Sequence, residues 1–277
     1  MIKKILVPTD FSEQALSALK VAAQLASRYN AEIYLLHLLE LPEVLIDGPS
    51  FQNKSELPEA LYFMRLAHKR FKELMEEPFL KKVKVYETAE FDGAFEGIMD
   101  YVHKYEIDAI IMGSHGANGF QEFFIGSNTE KVVRHSEIPV LVIKSENPDF
   151  KISNFVFATD LNEENIPALR NALKLAQEEK AELHLVYVNT PNKFKTTPEI
   201  MKDCHSYFDK LEEPRKKLNI YNEVSVERGI LNFAEYIKAD LIGIGTHGRK
   251  GLAHFFNGSL SEDLVNHAKR PVITYKI

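Results

Sequence analysis

The chain is written twice. Residues 5–38 read ILVPTDFSEQALSALKVAAQLASRYNAEIYLLHL and residues 155–188 read FVFATDLNEENIPALRNALKLAQEEKAELHLVYV. Each gives an apolar run, Thr-Asp, a helix pattern and a second apolar run. The likeness continues downstream: Asp108 opens DAIIMGSHG and Asp240 opens DLIGIGTHG, while Pro139 opens PVLVIK and Pro271 opens PVITYK. Asp160 follows Asp10 by 150 positions and Gly245 follows Gly113 by 132, so the second copy has lost 18 residues in between. Copies of about 140 residues are domain-sized, unlike the short units of a solenoid. The expected domains are 1–146 and 150–277, parted at the polar stretch SENPD, 145–149.

Within the first copy the pattern predicts strand 2–8, helix 12–29, strand 31–39, a long loop, helix 58–76, strand 82–88, helix 92–105, strand 107–112, a loop, helix 127–136 and strand 139–144. The second predicts strand 153–159, helix 162–180, strand 182–188, helix 198–217, strand 222–228, a short helix near 231–238, strand 240–244, a loop, helix 259–268 and strand 271–276. Near-continuous apolar strands are those covered on both faces. Strands alternating with helices imply α/β architecture, with a parallel sheet and right-handed crossovers. The closing strands PVLVIK and PVITYK have the β-propensity and apolar character of edges that invite pairing.

Residues 113–127 read GSHGANGFQEFFIGS and residues 245–259 read GTHGRKGLAHFFNGS. Each loop follows the C-terminal end of a buried strand, where open α/β sheets bind ligands. Glycines there turn the backbone sharply and expose N–H groups. The helix that follows begins with unpaired N–H groups and a partial positive charge, which attract phosphate. Ser127 to Glu130 and Ser259 to Glu262 also read as capping boxes. His115 and His247 read as braces within the loop, since no nucleophile or acidic partner stands at defined spacing. Phe123, Phe124, Phe255 and Phe256 read as packing residues.

A Walker loop is absent from the sequence. Gly243-Ile244-Gly245-Thr246-His247-Gly248 matches G-x-G-x-x-G, but after the fourth strand of its unit, and the first copy has Ile111 at the first glycine. A dinucleotide fold wants that motif after its first strand. The match is read as accidental.

Gly-x2-Gly-x9-Gly-Ser, found twice, resembles the nucleotide loop of the universal stress protein family, in its ATP-binding branch. KKILVPTDFSEQALSALKVA and HSEIPVLVIK resemble that family's opening and closing segments. The resemblance covers both halves and implies two tandem doubly wound parallel five-stranded sheets, each of strand order 3-2-1-4-5, Rossmann-like, packed as a pseudo-dimer with strands 139–144 and 271–276 near each other. It implies ATP, or alternatively ADP or AMP, with Mg as the companion of the nucleotide. By position, Asp10 and Asp160 lie beside the adenosine, where a carboxylate accepts from ribose hydroxyls or the adenine amino group. Leu38 and Val188 follow the second strand, with backbone facing the adenine, and Met112 and Ile244 precede the first motif glycine. The phosphate loop matches Gly113, His115, Gly116, Gly126, Ser127 and Asn128, and again Gly245, His247, Gly248, Gly258, Ser259 and Leu260. After the second glycine the second copy has Arg249 and Lys250, basic as is common in the family, where the first has Ala117 and Asn118. The segment from Gly229 to Asp240 is shorter than that from Gly93 to Asp108, which predicts a clipped third helix in the second copy.

The function implied is a nucleotide-binding regulator of the stress response. The alternatives are a slow ATPase or nucleotidyl-transfer enzyme, and an assembly module that binds no nucleotide. The expected partners are the adenine nucleotide, the other half of the chain as a pseudo-dimer, a second copy as a homodimer, and a regulatory protein the sequence does not identify. A net charge of −6 argues against a general nucleic-acid binder. No apolar stretch approaches the roughly 20 residues of a membrane span. The N-terminus has too short an apolar run before Pro8 to read as a secretory leader. A single cysteine, Cys204, fits a reducing compartment, and the expected location is the cytoplasm.

Overall fold

The computed structural model describes residues 2–39, 57–114, 126–211, 217–246 and 258–277. The first half runs β1 (Lys4–Pro8), α1 (Glu13–Tyr29), β2 (Glu32–Leu39), α2 (Leu57–Met75), β3 (Lys84–Phe91), α3 (Ala94–Tyr105), β4 (Ala109–Gly113), α4 (Ser127–His135) and β5 (Val140–Ile143). The second runs β6 (Asn154–Ala158), α5 (Ile166–Glu179), β7 (Glu182–Asn189), α6 (Thr197–Leu211), β8 (Leu218–Asn222), α7 (Val226–Tyr236), β9 (Leu241–Thr246), α8 (Gly258–His267) and β10 (Val272–Lys276).

Ten strands form one continuous sheet of order β3-β2-β1-β4-β5-β10-β9-β6-β7-β8. Each half is parallel with order 3-2-1-4-5, as the resemblance implies. The two expected sheets are joined into one by β5 and β10, which pair antiparallel with Val272 opposite Val142, Ile273 opposite Leu141 and Thr274 opposite Val140. A closing strand with one unpaired edge satisfies its N–H and C=O groups on its counterpart.

Alternation along the strands sends neighbours to opposite faces. Ile5 and Val7 enter the core beneath α1, α2, α5 and α6, with Leu141, Phe155 and Ile273. Leu6 enters the other core, beneath α3, α4, α7 and α8, with Met112, Val142, Val156 and Ile244. Both cores therefore run through both halves. Cys204 is a buried free thiol of α6. No helix among the described residues is long and apolar enough to cross a membrane.

The second half departs from its expected boundaries in three places. Helix 162–180 is a 3₁₀ turn, Glu163–Asn165, followed by α5 with proline in its first turn. Strand 222–228 is displaced: β8 ends at Asn222, and Ser225 caps α7 by accepting from the Arg228 N–H at 3.3 Å. Val224 and Val226 alternate like strand residues, but Ile230, Phe233 and Ala234 recur at helical spacing and are buried. Nor is the third helix clipped, since α7 has 11 residues against 12 in α3. Gly229 matches Gly97, not Gly93: the Gly97 N–H bonds to Gly93 O and the Gly229 N–H to Ser225 O. The lost residues lie upstream, between β7 and β8, where α6 has 15 residues against 19 in α2.

Candidate functional site

At the C-terminal end of β1 the Thr9 N–H bonds to Leu36 O at 2.8 Å, and the chain then turns. Phe11 lies in the left-handed region, φ 62°, with its N–H donating to Thr9 Oγ1 at 3.0 Å. The Ser12 N–H donates to Asp10 Oδ1 at 3.0 Å, and the Ser12 hydroxyl caps α1. The second half repeats the turn at Thr159, Asp160 and Leu161, again with φ 62°. A non-glycine residue held there carries strain, and the same strain at both strand ends marks a position of functional interest. It presents Asp10 and Asp160 at the sheet's C-terminal edge.

The glycine loop leaves the same edge. The Ser114 N–H bonds to Ile143 O at 3.0 Å, and the Gly126 N–H bonds to Ser114 O at 2.8 Å. Thr129 Oγ1 donates to Gly113 O at 3.0 Å. These bonds pinch the loop's two ends and aim the start of α4 at the end of β4. Gly126 is the extended cap residue of α4 and makes no side-chain cap hydrogen bond. The expected capping box is thus not formed in the first half. Ser127 sits inside the first turn, and Glu130 faces Arg134 at 3.8 Å along the helix. Gly126 therefore offers no side chain to the Ser127, Asn128 and Thr129 amides at the helix start, and amides of a first turn that lack such a cap are the groups that bind anions. In the second half α8 begins at Gly258, so Ser259 is again inside the helix rather than before it. Leu260 is buried at its start.

The first motif glycine has a packing reason of its own. A Cβ on Gly113 would lie 2.9 Å from the backbone carbonyl of Gln14. On Gly245 it would lie 2.3 Å from Asn165 Oδ1 and 2.4 Å from Ile277 Cδ1. Glycine lets the start of α1, or the turn before α5, press against the neighbouring strand end. Met112 and Ile244 have buried side chains in the core under α3, α4, α7 and α8, so only their backbones face the site. Leu38 and Val188 close the floor against the third helix of their half. A Cβ on Gly97 would meet Leu38 Cδ2 at 2.7 Å, and one on Gly229 would meet Val188 Cγ1 at 2.4 Å. Gly97 escapes the sequence reading, which pairs Gly229 with Gly93 instead, and the offset of 132 between Gly97 and Gly229 is the signal that finds the match.

His37 was also missed: its Nδ1 lies 2.7 Å from Thr9 O, and its ring meets that of Phe11 at 4.6 Å, tilted by 51°. Phe71 meets Phe11 at 5.1 Å, completing an aromatic wall under the first site. In the second half the same floor holds Tyr207, whose phenol is pushed up by burial. Asp160 also receives a bond absent from the first half, from Asn165 Nδ2 at 2.7 Å; the counterpart of Asn165 is Ala15. His115, Gly116, His247, Gly248, Arg249 and Lys250 lie outside the described residues, as do Ala117, Asn118 and the four loop phenylalanines.

A sequence profile for the "Universal stress protein family" matches residues 1–144 and 151–276. The chain belongs to the universal stress protein family. Universal stress protein MJ0577 of Methanocaldococcus jannaschii is 34% identical over 160 residues, spanning 53% of this chain and 98% of that protein. Universal stress protein Slr1230 of Synechocystis sp. is 24% identical over 99% of this chain and 100% of its own. The crystal structure of a universal stress protein from Archaeoglobus fulgidus matches at a TM-score of 0.74 and 21% identity, over 99% of this chain and 98% of that one. That likeness is one of fold. This universal stress protein therefore has the two-unit, single-chain form over its whole described length.

Proposed function

We propose that each half of this universal stress protein holds an adenine nucleotide, ATP foremost, and that occupancy sets which partner the protein engages under stress. The observation that carries the reading is the start of α4: an extended Gly126 without a side-chain cap, tied through its N–H to Ser114 at the end of β4. This stands within a twice-written Gly-x2-Gly-x9-Gly-Ser loop, at the sheet edge that also presents Asp10. Phosphate oxygens would accept from the Ser127, Asn128 and Thr129 amides. Asp10 would accept from ribose hydroxyls, with the backbone at Leu38 beside the adenine and that at Met112 flanking it. Asp160, Val188, Ile244, Gly258, Ser259 and Leu260 would do the same in the second half. Arg249 and Lys250 would add charge-assisted bonds to a triphosphate there. Magnesium would arrive with the nucleotide, neutralising its phosphates.

Calorimetric titration of ATP into the full chain tests this, with Gly126→Val and Gly258→Val as loop controls. Two sites are expected, one lost in each variant. Unchanged binding in the double variant would refute the loop assignment. Steady phosphate release above that variant's level would instead favour the ATPase reading.

A further inference from the structure

The two outer edges of the sheet are not alike. β8 forms one with five residues, and Asn219 Nδ2 turns back onto Leu185 O at 2.9 Å. A short edge strand is a protected one. β3 forms the other with eight residues, free of proline and paired with β2 along its whole length. Among the described residues no strand lies beyond it.

Hydrogen-bond parity fixes which groups β3 presents outward. The Thr9 N–H bonds to Leu36 O and the Glu32 N–H to Lys3 O, so the even-numbered residues of β2 bond to β1. Successive residues of a strand bond to opposite sides, so the odd-numbered residues of β2 bond to β3. With Leu35 opposite Glu87, its partners are the backbones of Tyr86 and Thr88. The N–H and C=O groups of Val85, Glu87, Ala89 and Phe91 therefore point away from the sheet.

Apolar surface is exposed beside them. Leu61, Tyr62, Phe63 and Leu66 are exposed on α2, which packs against β3, and Tyr86 and Phe91 are exposed on β3 itself. The Tyr62 and Phe63 rings meet at 5.7 Å. Exposed apolar side chains gathered next to an unpaired strand mark an interaction face.

We propose that β3 pairs with β3 of a second copy, antiparallel about a two-fold axis at Thr88, so that the sheet runs on through a homodimer. The sequence of the strand selects both partner and register. Outward groups meet outward groups only where odd-numbered residues stand opposite odd-numbered residues. Centring the pair on Glu87 would set two carboxylates directly opposite each other, which is destabilising. Centring it on Thr88 sets Thr88 opposite Thr88, Val85 opposite Phe91, and Lys84 opposite Asp92 just past the strand, all favourable cross-strand pairs. Tyr86 then faces Glu90, a phenol before a carboxylate. Lys84 already meets Glu32 at 2.7 Å and has donors to spare. Inside the chain the same device joins the halves: β5 and β10 pair antiparallel, and α4 packs on α8 beside the seam. At the outer seam the exposed side chains of α2 would meet their copies. This assembly does not depend on the nucleotide reading.

Sedimentation of the full chain across micromolar concentrations tests the dimer, and cysteine cross-linking reads its register. The wild type should reach a dimer. Glu87→Pro removes an outward N–H and no bond to β2, so it should leave a folded monomer, with thermal melting as the check on folding. Phe63→Glu with Leu66→Glu should weaken the dimer about tenfold or more. Thr88→Cys should give a disulfide-linked dimer on mild oxidation, because facing residues of a non-hydrogen-bonded antiparallel pair have Cα atoms about 4.5 Å apart. Glu87→Cys should cross-link far less, and wild type, with its buried Cys204, is the control. If Glu87→Pro does not fold, the cysteine variants decide. A wild type that stays monomeric overturns the proposal. So does a dimer that folded Glu87→Pro or the α2 double variant leaves intact, or cross-linking as efficient at Glu87 as at Thr88.

Discussion

Asn165 donates through Nδ2 to Asp160 Oδ1 at 2.7 Å, and Asn165 is fully buried. The same oxygen accepts from the Asn162 N–H at 3.0 Å. In the first half the position of Asn165 is Ala15, which offers no such donor to Asp10. The two halves therefore share a turn but differ in this side-chain donor. Asn165 Oδ1 is itself without a partner among the described residues, wedged towards Gly245.

Asn165→Ala should release acceptor capacity on Asp160. In a Gly126→Val background, which isolates the second half, adenosine affinity should rise about two- to tenfold, one hydrogen bond's net worth. Calorimetry with adenosine reads this directly. Unchanged or weaker binding would show that Asn165 orients Asp160 rather than competes for it.

Gly113 and Gly126 should behave differently although both belong to one motif. Gly113→Ala puts a methyl 2.9 Å from a backbone carbonyl that has little room to give, and overpacking of this kind costs about 1–3 kcal/mol. Gly126 lies at a partly exposed helix start with ordinary backbone angles, so Gly126→Val should keep its melting temperature and lose nucleotide affinity instead. Denaturant unfolding of both variants separates the roles. Equal stability of the two would contradict the packing account.

Much of this was legible in advance, because the repeat supplies two readings of each element. The alternation of strands and helices, and the placing of Asp10 and Asp160 just past a strand, follow from apolar patterns written twice, whereas the strand order and the pairing of 139–144 with 271–276 come from the family resemblance. Legibility fails where the two copies diverge. EVSVERG alternates like a strand, yet Ser225 accepts from the Arg228 N–H and starts a helix, so tertiary burial of Ile230 and Phe233 overrides the local pattern. Ser127 and Glu130 have capping-box spacing, but Gly126 takes the cap position. Gly97 and Gly229 are required by Leu38 and Val188, contacts distant in sequence that no local motif encodes.

Lys144 follows β5 and donates to Val265 O at the end of α8, in the other half. Burial pushes its ammonium down to about 8, from an ordinary value of 10.5. Between those values the unfolded chain holds a proton that the folded chain lacks, so this residue's contribution to stability rises with pH there. Below pH 8 the fold carries the unfavourable buried charge in full. Lys144→Met should therefore stabilise the protein most near pH 7, and the gain should shrink between pH 8 and 10. Urea melts of both proteins at pH 7, 8, 9 and 10 give the difference. A difference that does not change with pH would contradict the assignment.

The central claim is that this universal stress protein carries an adenine nucleotide at its glycine loops. Wild-type protein and the Gly126→Val, Gly258→Val double variant should be purified without added nucleotide and denatured, and the released small molecules identified by mass spectrometry. The account predicts intact ATP, or ADP or AMP, from the wild type and a marked loss from the folded double variant. Equal nucleotide from both would contradict it, as would no adenine nucleotide from the wild type together with no ATP binding by calorimetry.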